Sequence, residues 1–130
     1  SALGFSQNYD KVITIDSILD SDVPYSYRGM RAGELILEKD NVELIKINSK
    51  DFNFSEHEKE FDAVYVDGNH TTAGCMQDIM NAQRIIKPGG LIFVDDYFNP
   101  CFGVRPAFDQ VKCAEKFRIE GMDIVFIVGE

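Results

Sequence analysis

The sequence predicts an α/β fold with a mostly parallel sheet and helices on both of its faces. FDAVYV (residues 61–66) and LIFV (residues 91–94) are short apolar segments typical of buried strands. Between them, residues 72–86 place apolar side chains at helical spacing. A strand, a helix and a second strand in this order form a crossover that joins parallel strands and is nearly always right-handed.

The segments before this crossover predict two more strands and one helix. KVITI, residues 11–15, is β-branched and ends at Asp16. VELIKI, residues 42–47, alternates apolar and polar side chains, as a strand nearer the sheet edge does. Loop signals gather at residues 20–24, and residues 27–39 are good helix formers.

The segments after the crossover helix complete the fold. KPGG, residues 87–90, combines lysine, proline and glycine in the pattern of a helix exit, so we expect a turn there. Residues 104–111 form an amphipathic helix that tolerates Pro106 in its first turn. Residues 123–128 are a last apolar strand. Because 130 residues supply one core and not two, we assign residues 1–130 to a single domain.

The composition limits the kinds of partner that we expect the protein to bind. The net charge of −9 repels nucleic acids and anionic membranes, so we expect neither as a partner and favour a small neutral or cationic ligand. The longest apolar run, residues 124–128, is far shorter than the ~18 residues of a spanning helix, and the first residues lack a basic segment followed by an apolar one, so we expect no export. Cys75, Cys101 and Cys113 are widely spaced without a CxxC pair, which predicts neither disulfides nor zinc. We therefore expect a cytoplasmic protein.

Three carboxylates follow the two crossover strands. Asp67 ends the first strand, and Asp95 and Asp96 end the second. Neighbouring strands lie ~4.8 Å apart, so three like charges would gather unless one takes up a proton or a cation sits among them. Oxygen ligands without thiolates suit magnesium, manganese or calcium. Successive residues face opposite sides of a strand, so Asp95 and Asp96 share one ion only if the chain turns there.

Each of these residues also has a simpler interpretation. Strand-end aspartates cap helices or brace turns. His70 either caps the following helix, packs on the surface or, with an ordinary pKa of ~6.5, acts as a general base beside Asp67. Asp16 is either a turn residue or an acceptor for ribose hydroxyls. Ser49 is either a turn former or a ligand contact.

The run VDGNH, a helix, KPGG, LIFVDDY and a GVRPA helix resembles the C-terminal half of a class I S-adenosylmethionine-dependent methyltransferase. It is most similar to the metal-dependent O-methyltransferases, including those that act on sugars of macrolide antibiotics and, more distantly, the catechol type. The resemblance covers about residues 11–128. It implies a Rossmann-like fold, S-adenosylmethionine as cofactor and the hydroxyl of a small molecule as methyl acceptor.

The resemblance also implies roles for the strand-end residues. Asp67, Asp95 and Asp96 match the positions that hold magnesium, and His70 matches the position of a lysine or histidine base. The implied reaction has magnesium lower the pKa of the acceptor hydroxyl and His70 remove its proton. The oxygen then attacks the sulfonium methyl in line.

For the cofactor, Asp16 matches the ribose-binding acid, Ser49 lies near the adenine contact, and Asp67 borders the same site. Family members begin with a strand and a GxGxG loop that this sequence lacks, so we expect a fold truncated at the N-terminus, without its first strand. That strand normally separates residues 11–15 from residues 61–66. We therefore expect these two strands to pair directly, or another copy of the chain to fill the gap in a homo-oligomer such as a dimer.

Two other functions fit the same pattern. A Rossmann-like module without catalysis, maintained by oligomerisation, is the main alternative, and without the glycine-rich loop the isolated chain would be inactive. A phospho-accepting receiver domain fits less well. Its acidic pair follows the first strand and a lysine follows the last, whereas here the pair comes late and only Gly129 and Glu130 follow the last strand.

Overall fold

The computed structural model describes residues 2–16 and 39–130. The chain divides into two compact units, residues 1–52 and 53–130. The loop expected at residues 20–24 and nearly all of the helix expected after it lie outside the described residues. The assignment of the whole chain to a single domain stays a prediction.

The first unit contains a short helix and a two-stranded parallel sheet. Its elements are α1 (Ala2–Ser6), β1 (Val12–Asp16), β2 (Val42–Lys46) and a 3₁₀ turn (Ser49–Asp51). β1 and β2 pair in register from Val12 opposite Val42 to Asp16 opposite Lys46. Both predicted strands are confirmed, and β-branched residues dominate the first of them, as expected for a half-buried strand.

The second unit is a four-stranded sheet with two helices. After a 3₁₀ turn (Phe54–His57), its elements are β3 (Phe61–Val66), α2 (Thr72–Ile85), β4 (Ile86–Val94), α3 (Val104–Gln110), β5 (Lys116–Arg118) and β6 (Val125–Val128). The strand order is β3-β4-β6-β5. β3 and β4 are parallel, and β6 is antiparallel to both β4 and β5. The predicted crossover from β3 through α2 to β4 is confirmed.

The KPGG segment differs from its prediction. The helix ends before it, as expected, but residues 87–90 belong to β4 and not to a turn. The pairing register of β3 and β4 shifts between Phe61 and Ala63, where β4 contains the extra residues of an irregularity. Gly89 has a φ of +78°, which glycine adopts without strain. A proline and two glycines therefore shape a bulged strand here.

The core of the second unit lies between its sheet and its two helices. Burying one Val, Leu or Ile side chain contributes about 1.5–3 kcal/mol, so the buried side chains of this core supply most of the unit's stability. Side chains that are 0% exposed come from α2, β4, α3 and β6. They include Ile79, Ile86, Ile92, Val94, Ala107, Val125 and Ile127. No residue of the described part of the first unit is buried to this degree.

Two further features concern strand pairing and membranes. β5, which the sequence did not predict, forms an antiparallel hairpin with β6 around Gly121, whose φ is +84°. β1 and β3 belong to different sheets within the described residues, so the direct pairing that we predicted for them is not observed. Filling of the gap by another copy stays a prediction.

Among the described helices, none has the length and apolar character to cross a membrane.

Candidate active site at the ends of β3 and β4

β3 and β4 end side by side. Val66 lies opposite Val94, and the backbone N–H of Asp95 donates to the carbonyl oxygen of Val66 at 3.1 Å. Asp67 and Asp95 are therefore the first residues beyond the two paired ends. The common edge predicted for the acidic residues is present, at the carboxyl ends of two parallel strands, where α/β sheets bind ligands.

An imidazole and two carboxylates meet at this edge. His70 Nε2 lies 3.2 Å from Asp96 Oδ2 and 3.5 Å from Asp67 Oδ1. One potential ligand atom from each of the three side chains lies within 4.8 Å of the others. The structure therefore brings together three of the four side chains that the sequence assigned to a metal site and a base.

His70 Nε2 is a buried polar atom without a hydrogen bond. Both carboxylates are close, but the contacts lack hydrogen-bond geometry, and among the described residues Nε2 has no other partner. Buried polar atoms in folded proteins are nearly always satisfied, by protein groups, water or an ion. A nitrogen facing two carboxylate oxygens fits a divalent cation, because carboxylates attract hard cations and imidazole adds a ligand that manganese and later metals accept.

The loop before α3 holds His70 in place. The ring of Phe102 stacks on the imidazole with centroids 4.0 Å apart and planes 6° from parallel. The Gly103 backbone N–H donates to the His70 carbonyl oxygen at 2.7 Å. A side chain at Gly103 would meet the backbone nitrogen of Thr72 at 2.3 Å, so only glycine allows this approach. The helix cap is the hydroxyl of Thr71, so His70 is not the cap of α2.

The DGNH turn is anchored independently of any ligand. Asn69 Oδ1 accepts hydrogen bonds from the backbone N–H of Thr71 at 2.9 Å and from its hydroxyl at 2.7 Å. The backbone N–H of Asn69 donates to Asp78 Oδ2 at 3.3 Å. Side-chain oxygens that bond to nearby backbone N–H groups stabilise such turns. The turn that presents Asp67 and His70 is therefore fixed by α2.

Asp95 and Asp96 diverge, although they are adjacent. Asp95 Oδ2 accepts a short hydrogen bond from the Tyr65 hydroxyl, and Asp95 Oδ1 accepts from the Asp96 N–H at 2.9 Å. Asp96 has a φ of +60°, an uncommon conformation outside glycine that turns the chain. The turn required for both residues to share an ion is thus present, but only Asp96 contacts His70. A role for Asp95 as a metal ligand stays a prediction.

Burial and charge shift two pKa values in this site. Burial, the hydrogen bond to Asp95 and the nearby carboxylates raise the pKa of Tyr65, so its hydroxyl remains a donor at neutral pH. Partial burial first, and then the charge of Asp95, raise the pKa of Asp67, while His70 partly offsets the shift. Since 46% of the Asp67 side chain is exposed, water screens much of this repulsion.

The two other predicted site residues lie in the first unit. Asp16 ends β1 opposite Lys46, and its carbonyl oxygen accepts from the backbone N–H of Ile47 at 3.2 Å. Ser49 begins the 3₁₀ turn after β2, which the side chain of Asn48 caps. Asp16 is thus the last residue of its strand, and Ser49 follows the carboxyl end of the parallel strand β2. Their roles in cofactor binding stay predictions.

Sequence reasoning missed Tyr65 and Phe102. A tyrosine within an otherwise apolar strand is a signal, because a partly buried phenol requires a hydrogen-bond partner. Phe102 gave no comparable signal, since its stacking partner lies 32 positions earlier in the sequence. Long-range ring contacts of this kind depend on the three-dimensional fold.

The parallel strands β3 and β4, with the crossover helix α2 between them and carboxylates at their ends, have the arrangement of a Rossmann-like fold. A family model described as a methyltransferase domain matches residues 6–97, more than half of the sequence. The chain therefore belongs to the methyltransferase domain family. This confirms the resemblance to class I S-adenosylmethionine-dependent methyltransferases drawn from the sequence.

A solved structure, described as the O-methyltransferase NovP, has a similar fold. The TM-score is 0.62 at 18% sequence identity, and the match covers 98% of this chain and 63% of that chain. The protein described here thus spans less than two thirds of that structure's length. At this identity the match is evidence for the fold alone, and it confirms the predicted fold class. No curated protein matches the sequence.

Proposed function

We propose that this protein transfers a methyl group from S-adenosylmethionine to a hydroxyl oxygen of a small molecule, with the help of a divalent cation, magnesium by the family resemblance. Family membership supports methyl transfer from this donor. The observation that supports the cation is the buried Nε2 of His70, which faces two carboxylates without a hydrogen bond.

Asp67 and Asp96 would hold the ion, with Asp95 as a further candidate ligand. Partial burial first, and then the charges of Asp95 and Asp96, raise the pKa of Asp67, and a cation would relieve the repulsion. A bound divalent ion supplies a Lewis acid that makes a nearby hydroxyl more acidic. The carboxylates would fix the position of the ion, and the hydrogen bond from the Asp96 N–H to Asp95 would stabilise the turn at Asp96.

His70 would accept the proton of the acceptor hydroxyl at Nε2. Asp67 and Asp96, at 3.5 and 3.2 Å, would stabilise the imidazolium that forms. Nε2 is also near enough to the carboxylates to ligate the ion with them. The same lone pair does not serve both roles at once, so the two versions of the mechanism predict different effects of substitution at His70.

The cofactor contacts rest on the family resemblance. By family resemblance, Asp16 would accept hydrogen bonds from the ribose hydroxyls, Ser49 would lie near the adenine, and Asp67 would border the cofactor. Binding both substrates in a fixed orientation supplies much of the rate acceleration in transfers of this kind.

The composition supports three further parts of the proposal. A net charge of −9 favours a small-molecule partner over nucleic acid or an anionic membrane surface. Cysteines without close pairs suit the reducing cytoplasm. We also propose a homo-oligomer, a dimer in its simplest form, because β1 and β2 form a sheet of only two strands among the described residues and a second copy would protect its edges.

Titration calorimetry with S-adenosylhomocysteine, with and without magnesium chloride, tests the function. We expect the cofactor product to bind and the heat of a separate magnesium titration to disappear in Asp67→Asn. His70→Ala distinguishes the two mechanisms. As a base, its loss lowers turnover by about 100-fold or more and leaves magnesium affinity unchanged. As a ligand, its loss weakens magnesium binding by a similar factor. Absence of cofactor binding would instead favour a module without catalysis.

A further inference from the structure

A groove on the second unit lies apart from the acidic cluster. It has a volume of about 370 Å³ and lies between α3, β5 and the segment after β4. Its aromatic lining consists of Tyr97, Phe108 and Phe117, and Arg105 and Arg118 flank it. This volume falls within the usual ~300–1,000 Å³ of small-molecule sites. The groove is open, so we expect modest affinities.

The two arginines of the groove lack the hydrogen-bonded carboxylate that a third arginine has. Arg84 binds Glu58 through Nε at 2.8 Å and a terminal nitrogen at 2.6 Å. Among the described residues, Arg118 forms no ion pair, and Arg105 approaches only Asp109, at 3.8 Å and without a hydrogen bond. A guanidinium has five N–H donors arranged to match carboxylate or phosphate oxygens. The donors of these two arginines are available to a ligand.

Both guanidinium groups contact the same aromatic ring. The guanidinium carbons of Arg105 and Arg118 lie 5.8 and 5.6 Å from the centroid of the Tyr97 ring. The Tyr97 side chain is itself fixed, because it is 3% exposed and its hydroxyl donates to Asp109 Oδ1 at 2.9 Å. Cation–π contact thus holds two positive charges at a preformed position.

The third cation of the groove has a structural role. Lys116 Nζ donates to the carbonyl oxygens of Phe108, Asp109 and Val111 at 2.8, 3.0 and 3.0 Å, which uses all three of its N–H groups. It satisfies the free carbonyls at the end of α3. Its charge still adds to the local field, so three cations surround one carboxylate in a chain whose net charge is −9.

Phe117 offers a flat apolar surface beside the arginines. Its ring stacks on that of Phe126 with centroids 4.9 Å apart and planes 7° from parallel, and the residue is 37% exposed. β5 pairs with β6 through these two residues, so the ring has little freedom to move. A rigid exposed ring next to guanidinium groups that form no hydrogen bond with a carboxylate favours ligands that combine a flat apolar part with an anionic group.

We propose that this groove binds a small organic anion in which a carboxylate or phosphate is joined to a flat ring. Arg105 and Arg118 would bind the anionic group, and the ring would lie on Phe117. The proposal goes beyond methyl transfer and does not depend on it, because none of these residues belongs to the acidic cluster around His70.

Ligand-observed and amide NMR titrations with simple probes test the proposal. We expect phenyl phosphate and benzoate to bind and to shift the amide signals of Phe117 and Arg118. Inorganic phosphate should bind about tenfold more weakly than phenyl phosphate, because it lacks the ring. Benzamidine, a flat cation of similar size to benzoate, should not bind. Arg105→Gln and Arg118→Gln should each weaken phenyl phosphate binding about tenfold.

Arg84→Gln is the matched control, since it removes one exposed arginine and the same charge outside the groove. Its affinity for phenyl phosphate should equal that of the parent protein, and all three variants should keep the parent melting temperature. Equal weakening in all three variants, or benzamidine binding as tight as benzoate, would overturn the proposal. Failure of the probes to bind, together with a changed sedimentation coefficient in Arg118→Gln, would also overturn the proposal. The groove would then bind an acidic surface of a second copy of the chain.

Discussion

The ends of β3 and β4 carry the same kind of residue and use it differently. β3 ends in one aspartate, Asp67, with 46% of its side chain exposed and its carboxylate directed at His70. β4 ends in two. Asp96 contacts His70, and 29% of its side chain is exposed. Asp95 instead accepts a hydrogen bond from the hydroxyl of Tyr65. Two adjacent, chemically identical side chains therefore have different partners.

This difference indicates that the hydrogen-bond partners of a carboxylate determine its role. An aspartate whose oxygens already accept hydrogen bonds has fewer lone pairs to offer a cation, and it restrains the backbone instead. Asp95 braces the turn through the backbone N–H of Asp96, and Asp96 contacts the imidazole. In metal sites, groups that orient a ligand affect affinity less than the ligand itself.

The largest expected effect compares Asp96→Asn with Asp95→Asn. Asparagine tolerates the positive φ of Asp96, so the substitution removes charge with little backbone strain. We expect Asp96→Asn to weaken magnesium binding by more than about 100-fold and Asp95→Asn by only about 10-fold, as for a residue that orients a ligand. Isothermal titration with magnesium measures both.

The same pair of variants tests the predicted ligand role of Asp95. If Asp95→Asn weakened binding as much as Asp96→Asn, Asp95 would be a ligand as the sequence suggested, and Tyr65 would release it when the ion binds. Tyr65→Phe separates these cases. It should lower magnesium affinity slightly if Asp95 acts as a brace and raise it if the phenol competes with the ion.

Much of this site follows from the sequence. Two apolar strands joined by an amphipathic helix must lie parallel, and parallel strands end at the same edge, so Asp67 and Asp96 could be expected to meet. His70 follows Asp67 by three residues and lies in the same turn. These relations are local or are fixed by a single crossover, and the structure has them as predicted.

The rest depends on contacts that no local pattern specifies. β5 has three residues, too few for an alternating pattern, and it exists because β6 and Gly121 allow a hairpin. The stacking of Phe102 on His70 and the bond from Tyr65 to Asp95 join residues about 30 positions apart. The KPGG segment has the composition of a turn, but pairing with β3 keeps it in a strand.

An intermediate effect is expected at the ring that holds His70. Phe102→Leu keeps an apolar side chain but removes the stacking contact, which is worth about 0.5–1.5 kcal/mol. We expect turnover to fall up to about tenfold, because a small displacement of the imidazole misaligns proton transfer. Phe102→Tyr, which preserves stacking, should restore it.

Phe98→Leu is the matched control for this prediction. Phe98 lies in the same loop, is 51% exposed and packs against Tyr97, without a contact to His70 among the described residues. Its replacement should leave turnover within about twofold of the parent value, as expected for a surface position. A loss as large as that of Phe102→Leu would mean that the loop as a whole matters and that the stacked ring does not.

The smallest expected effect is that of Asp67→Asn on the free energy of unfolding. Its sign depends on whether a cation is bound. Because the pKa of Asp67 is higher in the folded chain than its ordinary value, its ionised form destabilises the fold. That penalty is complete at pH 7 and vanishes as the pH falls below the ordinary pKa of ~3.9. Asp67→Asn should therefore be more stable than the parent at pH 7 without divalent ions, and the difference should shrink toward pH 4.

The gain at pH 7 should not exceed about 0.5 kcal/mol, because water screens a side chain that is 46% exposed. Urea denaturation in chelator, at pH 7 and pH 4, measures it. Saturating magnesium should reverse the order, since an ion that binds only the folded parent stabilises it by mass action. If the parent were the more stable protein both with and without magnesium, repulsion at the end of β3 would not be the reason for a cation there.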